Sequence, residues 1–166
     1  NGIYSSGGAN SFWNLLLYIL EKYTTREMAV LFSKYYEIEI DRFSQSPFIM
    51  FKGQSGHNDE PVKKAQEFIE KNVADKISVE DLASKFAIGR RNFERRFKKA
   101  TKNTPIEYIQ RVKIEAAKKS LEASRKNVTE VMYDVGYADT KAFRTVFKKI
   151  TGMSPVDYRN KYNKAS

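Results

Sequence analysis

The stretch FKKATKNTPIEY at residues 97–108 returns fifty residues later as FKKITGMSPVDY at residues 147–158, with six of twelve positions identical. Upstream of both stretches, Phe93 pairs with Phe143 at the same interval. A solenoid needs about three or more stacked copies to bury its faces, and only two copies are found here. The repeat therefore indicates a duplicated unit, and the pattern of each copy reads as helix, turn, helix.

Capping residues and apolar spacing predict seven helices and no strand after residue 60. Ser78 with Asp81 can cap the second of these helices, and a turn at residues 87–89 leads to a third helix at about residues 90–101. In the second copy the predicted caps and helix-ending glycines are Asn127, Asp139, Ser154, Gly136 and Gly152. The predicted fold is mainly α.

A long helix is predicted between the two copies. Thr104 and Glu107 form a capping box around Pro105, and apolar positions continue to about Ser124. Twenty residues span roughly 30 Å, which is close to the rise of about 34 Å for one turn of DNA. The prediction is a seven-helix double helix-turn-helix domain joined by a long central helix, which could place two helices in successive major grooves.

The net charge of +10 lies entirely in the second part of the chain. Residues 1–58 carry five Lys and Arg against five Asp and Glu, whereas residues 59–166 carry 25 against 15. A confined basic surplus attracts polyanions, because cations that neutralise phosphates release condensed counterions. Nucleic acid is the partner this favours, and a merely solvated lysine-rich surface is the alternative.

Helical spacing separates apolar from cationic residues on the second helix of each copy. One side of the helix at residues 90–101 carries Phe93 and Phe97, and the opposite side carries Arg91, Arg95, Lys98 and Lys102. In the second copy Phe143 and Phe147 lie opposite Lys141, Thr145 and Lys148. Because a solvated face usually mixes its charges, these stripes favour DNA binding.

In a helix-turn-helix the second helix places its N-terminal residues at base edges, while later residues meet phosphates. The predicted base-reading residues are Arg91, Glu94, Arg95, Thr140, Lys141, Arg144 and Thr145. The predicted phosphate contacts are Asn92, Lys98, Lys99, Lys102, Lys148 and Lys149. Arginine can donate to guanine in bidentate fashion, and glutamate can accept from cytosine.

Several function classes find little support in the sequence. The chain has no Cys and one His, so no metal site, catalytic residue or cofactor is predicted. His57 is expected to be an exposed linker residue. The longest apolar run, residues 12–20, is too short for a membrane span, and a cytoplasmic protein is expected. RNA or acidic-membrane adaptors would need exposed aromatic or apolar faces, whereas these Phe residues recur at core spacing.

Residues 60–166 resemble the AraC family of bacterial transcription regulators. The resemblance lies in RRNFERRFKKATKNTPIEYIQRVKIEAAKKSLEAS and VTEVMYDVGYADTKAFRTVFKKITGMSPVDYR. Its signature positions are Phe97, Pro105, Ala116, Gly136, Phe143, Phe147, Gly152, Pro155 and Arg159. It implies binding of double-stranded promoter DNA, activation of transcription, contact with RNA polymerase, and DNA contacts at the base-reading positions above. Asn103, Met132 and Gly89 depart from the family, which prefers Gly, Ala and often Ser there.

Residues 1–55 are expected to form a separate unit and linker, ahead of a DNA-binding domain at residues 56–166. A strand end at Ile3-Tyr4, the motif YSSGGA, and an apolar helix at about residues 11–23 resemble the tail of a PfpI-type, class I glutamine amidotransferase-like domain. This resemblance implies a partial α/β remnant of a sensor domain and a homodimer formed through that domain. It leaves one alternative, an enzyme or small-molecule-binding protein with an accessory helical domain.

Overall fold

The computed structural model describes residues 3–7, 11–39, 50–54 and 56–163. The chain divides into two compact units, residues 1–48 and residues 49–166. The unit and linker predicted at residues 1–55 lie partly outside the described ranges. The predicted functional boundary between residues 55 and 56 stays a prediction.

The described part of the first unit contains two helices, α1 (Ser11–Tyr23) and α2 (Arg26–Tyr35). The Thr25 hydroxyl caps α2 by accepting a hydrogen bond from the Met28 N–H at 3.3 Å. The expected α/β remnant was wrong for the described residues, because residues 3–7 form no strand. A strand requires a neighbouring strand to which it can hydrogen-bond, and the described residues of this unit contain none.

The second unit contains the seven predicted helices within residues 56–163. They are α3 (Glu60–Lys71), α4 (Val79–Lys85), α5 (Arg90–Thr101), α6 (Pro105–Ala123), α7 (Val128–Asp134), α8 (Thr140–Thr151) and α9 (Pro155–Tyr162). Their starts are fixed locally by side chains. Ser78 with Asp81, Thr104 with Glu107, and Asn127 with Glu130 form reciprocal capping boxes.

Each copy of the repeat is built around the same three aromatic rings. In the first copy the ring centroids of Phe93 and Phe97 lie 5.5 Å apart, and those of Phe97 and Tyr108 lie 5.3 Å apart. In the second copy the corresponding distances between Phe143, Phe147 and Tyr158 are 5.7 and 5.5 Å. These rings are buried in two separate cores, so each helix-turn-helix packs around its own hydrophobic cluster.

The duplication extends further than the sequence comparison indicated. At an interval of fifty-two residues, the buried α3 positions Val62, Ala65 and Ile69 correspond to the buried α6 positions Ile114, Ala117 and Leu121. The polar contacts repeat as well, since the Tyr108 hydroxyl donates to Glu70 at 2.7 Å and the Tyr158 hydroxyl donates to Glu122 at 2.5 Å. The first half of α6 therefore completes the first copy, and its second half begins the second copy.

The turns after α5 and α8 show where the two copies differ. The residue that ends α8 is Gly152 with φ 77°, and the equivalent residue that ends α5 is Lys102 with φ 59°. The glycine that the resembled family prefers was matched to Asn103, but the left-handed residue is Lys102, one position earlier. A non-glycine residue in this conformation carries a strain of about 1 kcal/mol. Buried Thr101 and Thr151 hold the following loops through equivalent hydrogen bonds.

Lys113, in the middle of α6, is buried between the two copies and is 7% exposed. Its ammonium group donates to the backbone carbonyls of Val73 at 2.8 Å, Asp75 at 3.0 Å and Val135 at 2.9 Å. Burial lowers the pKa of this ammonium group, and the charge of Asp75 opposes that effect. The contacts join the ends of α3 and α7 to one residue, so they fix the two copies relative to α6.

Candidate nucleic-acid interface

Helix α5 exposes a cationic face whose residues match the sequence prediction. It begins at Arg90 after Gly89, which makes no side-chain cap, and it buries Phe93, Phe97 and Thr101. The predicted residues Arg91, Asn92, Arg95, Lys98, Lys99 and Lys102 are exposed, and Glu94 is partly exposed. The structure therefore brings the predicted first-copy residues to one surface, while their DNA contacts stay predictions.

The Arg95 side chain is restrained on this surface by its neighbour one turn earlier. Its Nη2 donates to Asn92 Oδ1 at 3.0 Å. A guanidinium carries five N–H donors, so four remain free to meet a base or a phosphate. The contact limits the rotamer freedom that Arg95 would lose on binding, and Asn92 therefore supports Arg95 in addition to any phosphate contact of its own.

Glu94 is engaged in a charged network that sequence reasoning missed. Arg90 Nε donates to Glu94 at 3.1 Å, and Arg90 Nη1 also contacts Glu80 on α4. The hydrogen bond from Arg90 to Glu94 is the main reason that the pKa of Arg90 is raised, with the charge of Glu80 adding to it. The i, i+4 spacing of Arg90 and Glu94 is the signal that could have revealed the pair. The predicted contact of Glu94 with a base would have to compete with Arg90 for the carboxylate.

Arg96 is a cation of α5 that faces the protein instead of the cationic surface. Its Nε donates to Asp59 Oδ2 at 2.9 Å, and its Nη2 donates to Asp59 Oδ1 at 2.8 Å. The same carboxylate caps α3 through the Val62 N–H at 3.3 Å. The Arg96 hydrogen bond is the main reason that the pKa of Asp59 is lowered. This bidentate pair joins α5 to the start of α3.

Helix α8 presents the second cationic face. Asp139 caps it by accepting from the Ala142 N–H at 2.5 Å, and Phe143 and Phe147 are buried against the core. The predicted residues Thr140, Lys141, Arg144, Thr145, Lys148 and Lys149 are all exposed. Within residues 56–163 no ion pair occupies the four cations among them, so their positive charge is available to a polyanion.

The start of α6 lies within the electrostatic influence of charges on both α5 and α8. Hydrogen bonds from the Thr104 backbone and side chain are the main reasons that the pKa of Glu107 is lowered. The charges of Lys149 on α8 and Lys98 on α5 lower it further. Both lysines therefore act on the same region of the surface, and the positive field of one reading helix overlaps that of the other.

His57 differs from the sequence expectation of an exposed linker residue. It is partly buried, with Nε2 at 2.7 Å from Gln66 Oε1 and Nδ1 accepting from the Asp59 N–H at 3.2 Å. Because Nδ1 accepts, Nε2 carries the proton and donates to Gln66. The described residues contain no group of three or more His, Cys, Asp or Glu that could hold a metal ion. They also contain no helix that is long and apolar enough to cross a membrane.

The second unit is similar to known helix-turn-helix proteins. A family model described as a helix-turn-helix domain matches residues 82–161. The chain is 39% identical to the bifunctional transcriptional activator/DNA repair enzyme AdaA of Bacillus subtilis, over 56% of this chain and 44% of that protein. It is 32% identical to a putative AraC-like transcription regulator of Streptomyces antibioticus, over 63% of this chain and 35% of that protein.

Solved structures give the same result. The DNA-binding domain of AdpA, crystallised in complex with a target DNA, is 29% identical with a TM-score of 0.59, covering 61% of this chain and 92% of that chain. The C-terminal domain of AraT, a response regulator from Geobacillus stearothermophilus, is 25% identical with a TM-score of 0.60. The match covers 62% of this chain and 86% of that chain. The chain spans less than half the length of AdaA and of the AraC-like regulator. The second unit of this chain is therefore similar in sequence to an AraC-like transcription regulator and in fold to the DNA-binding domain of AdpA.

Proposed function

We propose that the chain is a transcription regulator that binds double-stranded promoter DNA by inserting α5 and α8 into major grooves. The observation that carries the proposal is the pair of exposed cationic faces at equivalent positions of a duplicated helix-turn-helix. The structurally similar DNA-binding domain of AdpA was crystallised with a target DNA, which supports the same use of the fold here. Lys98 of α5 and Lys149 of α8 both lower the pKa of Glu107, which supports a role for both helices on the same side of the domain.

The two reading helices have different chemistry. Arg91, Arg95 and Glu94 in the first copy carry bidentate donors and an acceptor suited to guanine and cytosine. Thr140, Lys141, Arg144 and Thr145 in the second copy offer hydroxyls and fewer bidentate donors. We therefore propose that α5 reads sequence strictly, that α8 reads it less strictly, and that Asn92, Lys98, Lys99, Lys102, Lys148 and Lys149 meet phosphates.

The first unit is proposed to belong to an amidotransferase-like sensor domain, on the support of the YSSGGA motif and the apolar helix α1. Activation of transcription is proposed because AdaA is named as a transcriptional activator. Contact with RNA polymerase is proposed from the resemblance to the AraC family. Homodimerisation through the sensor domain and a cytoplasmic location belong to the same proposal. The alternative of an enzyme or small-molecule-binding protein is not favoured, since the relatives are named as transcription regulators, although AdaA is named as a DNA repair enzyme as well.

A salt titration of the chain with random-sequence duplex DNA tests the proposal. The logarithm of affinity should fall linearly with the logarithm of salt concentration, with a slope of about −0.9 for each phosphate neutralised. Replacing both Lys98 and Lys148 by Ala should make the slope shallower by about two. The matched control replaces exposed Lys64 and Lys76, which lie away from α5 and α8 in the sequence. An affinity that does not change with salt would contradict DNA binding.

A further inference from the structure

The segment that precedes α3 is packed onto the DNA-binding domain. We call residues 50–54 and 56–59 the strap. The Phe51 ring lies edge-on to the buried Tyr108 ring, with centroids 5.1 Å apart, and the Arg111 guanidinium lies 5.8 Å from the Phe51 centroid. The Phe51 N–H donates to Glu115 Oε2 at 3.2 Å. Phe51 thereby contacts the first core cluster and the long helix α6.

The middle of the strap is joined to α3 by a buried polar network around Gln66. Gln66 is 5% exposed, and its Nε2 donates to the Gln54 carbonyl at 3.2 Å and to the Tyr108 hydroxyl at 3.0 Å. Its Oε1 accepts from His57. Each amide position of Gln66 is thus used by the strap or by its aromatic anchor, which makes the strap part of the folded domain.

Close packing restricts the strap at Gly53. A Cβ placed there would lie 2.5 Å from the Tyr108 hydroxyl and 3.2 Å from Glu70 Oε1, and the residue has φ 60°. A larger residue would have to push the strap off Tyr108. The strap backbone therefore follows the Tyr108 hydroxyl network closely, and its docked position is sensitive to single substitutions.

The end of the strap contacts the reading helix directly. Asp59 accepts two hydrogen bonds from Arg96 on α5 and also caps α3. Contacts therefore connect Phe51 to α5 through Tyr108, Gln66, His57 and Asp59, without passing through α4. The strap thus has an apolar anchor at one end and an ionic anchor on the reading helix at the other.

We propose that Phe51 and Asp59 are positioning residues, and that the strap couples the chain ahead of residue 50 to the orientation of α5. The inference rests on the proposed function, because it concerns how α5 is presented to DNA. Docked, the strap holds α5 through Arg96. Withdrawal of Phe51 from Tyr108 loosens that hold and lowers specific affinity. The strap would therefore carry a signal from the first unit to the first reading helix.

The test compares variants of the full chain for binding to a duplex selected from a random library. Asp59→Asn keeps a good helix cap but removes the charge partner of Arg96. Electrostatics alone would strengthen binding, because the variant is more positive by one charge. The strap predicts the opposite, a loss of specific affinity of about fivefold or more. Glu60→Gln, at an exposed neighbour with the same charge change, is the matched control and should bind at least as well as the unmodified chain.

The second variant is Phe51→Ala, with Met50→Ala as control because Met50 is 68% exposed. Phe51→Ala should lower specific affinity by about fivefold or more while random-sequence affinity stays within about twofold. Amide exchange in α5 should accelerate in Phe51→Ala and Asp59→Asn at a temperature where both remain folded. Phe51→Tyr, which keeps an aromatic ring at this position, should retain the specific affinity of the unmodified chain. These readouts separate positioning from a general loss of stability.

The outcomes separate the two proposals. If the unmodified chain selects no duplex from the library, the proposal of sequence-specific DNA binding is wrong. The proposed effect of the strap on DNA affinity is then wrong as well. If it binds specifically while Asp59→Asn and Phe51→Ala keep its affinity and its α5 exchange rates, the coupling is overturned and DNA binding stands. Equal losses of specific and random-sequence affinity would also overturn positioning.

Discussion

The Lys113 ammonium group donates a 2.9 Å hydrogen bond to the Val135 carbonyl, and so connects the middle of α6 to the end of α7. The same ammonium group satisfies the carbonyls of Val73 and Asp75 beyond the end of α3. One cation therefore serves three backbone acceptors from both copies of the duplication. A buried charge with this arrangement stabilises only while every partner is present.

Replacing Lys113 by Met should destabilise the chain by about 2 to 4 kcal/mol, because three backbone carbonyls would lose their donor, the one of Val135 in a buried position. Chemical denaturation monitored by circular dichroism measures the effect. Lys119→Met, at an exposed position on the same helix, should change the free energy of unfolding by about 0.5 kcal/mol or less. Similar values for the two variants would show that the buried ammonium contributes little.

The left-handed residue that ends α5 offers a second prediction. Lys102→Gly should be more stable than Lys102→Ala by about 1 kcal/mol, since both lose the charge and only glycine relieves the positive φ. The reciprocal change, Gly152→Ala, should destabilise the end of α8 by about 1 kcal/mol. Chemical denaturation tests both changes. The midpoint concentration of denaturant reports the stability of each variant, provided that the free energy of unfolding depends on denaturant with the same slope in all of them. Equal stability of the two Lys102 variants would contradict the assigned backbone conformation.

The three strongest sequence signals were the duplication, the caps and the spacing of the Phe residues. They predicted α5 with its observed bounds, because Phe93 and Phe97 show helical spacing and the chain turns just before Arg90. They also predicted which α5 and α8 side chains are exposed. Local capping chemistry and apolar periodicity depend on neighbours in the sequence, so the sequence contains enough information for them.

Contacts between distant residues could not be predicted in the same way. The sequence shows Lys113 as one of many lysines, and only the fold reveals that three carbonyls converge on it. Arg96 looks like one more cation of α5 until the position of Asp59 is known. The correspondence of α3 with the second half of α6 was missed because its interval of fifty-two differs from that of the stronger repeat.

Buried tyrosines predict a loss of stability at alkaline pH. Burial is the main reason that the pKa values of Tyr108 and Tyr158 are raised above the usual 10.0, and hydrogen bonds to Glu70 and Glu122 raise them further. The folded state therefore holds these protons more tightly than the unfolded state does. Their contribution is fully present below pH 10 and is lost above it, by up to about 1.4 kcal/mol per pH unit for each tyrosine.

Replacement of both tyrosines by Phe tests this origin. The double variant should be less stable at pH 7, because the hydrogen bonds of the two hydroxyls with Gln66, Glu70 and Glu122 are lost. Its free energy of unfolding should fall less steeply above pH 10 than that of the unmodified chain. Denaturation series from pH 7 to pH 11.5 give both slopes. Identical slopes would assign the alkaline loss to other groups.

Arg95 and Lys98 lie on the same exposed face of α5 but should differ in what they recognise. Arg95→Ala should cost about 1 to 3 kcal/mol and relax preference at one base pair, whereas Lys98→Ala should weaken all sequences alike. Competition binding with single-substitution duplexes distinguishes the two effects. The reverse pattern would mean that α5 enters the groove in a different register.

Hydroxyl-radical footprinting on a selected duplex tests the two-helix account most directly. If α5 and α8 enter successive major grooves, the chain should protect two patches about 10 base pairs apart on one side of the duplex. Replacing both Lys141 and Arg144 by Ala should remove one patch, and replacing both Arg91 and Arg95 by Ala should remove the other. A single protected patch, affected alike by both pairs of substitutions, would contradict the account.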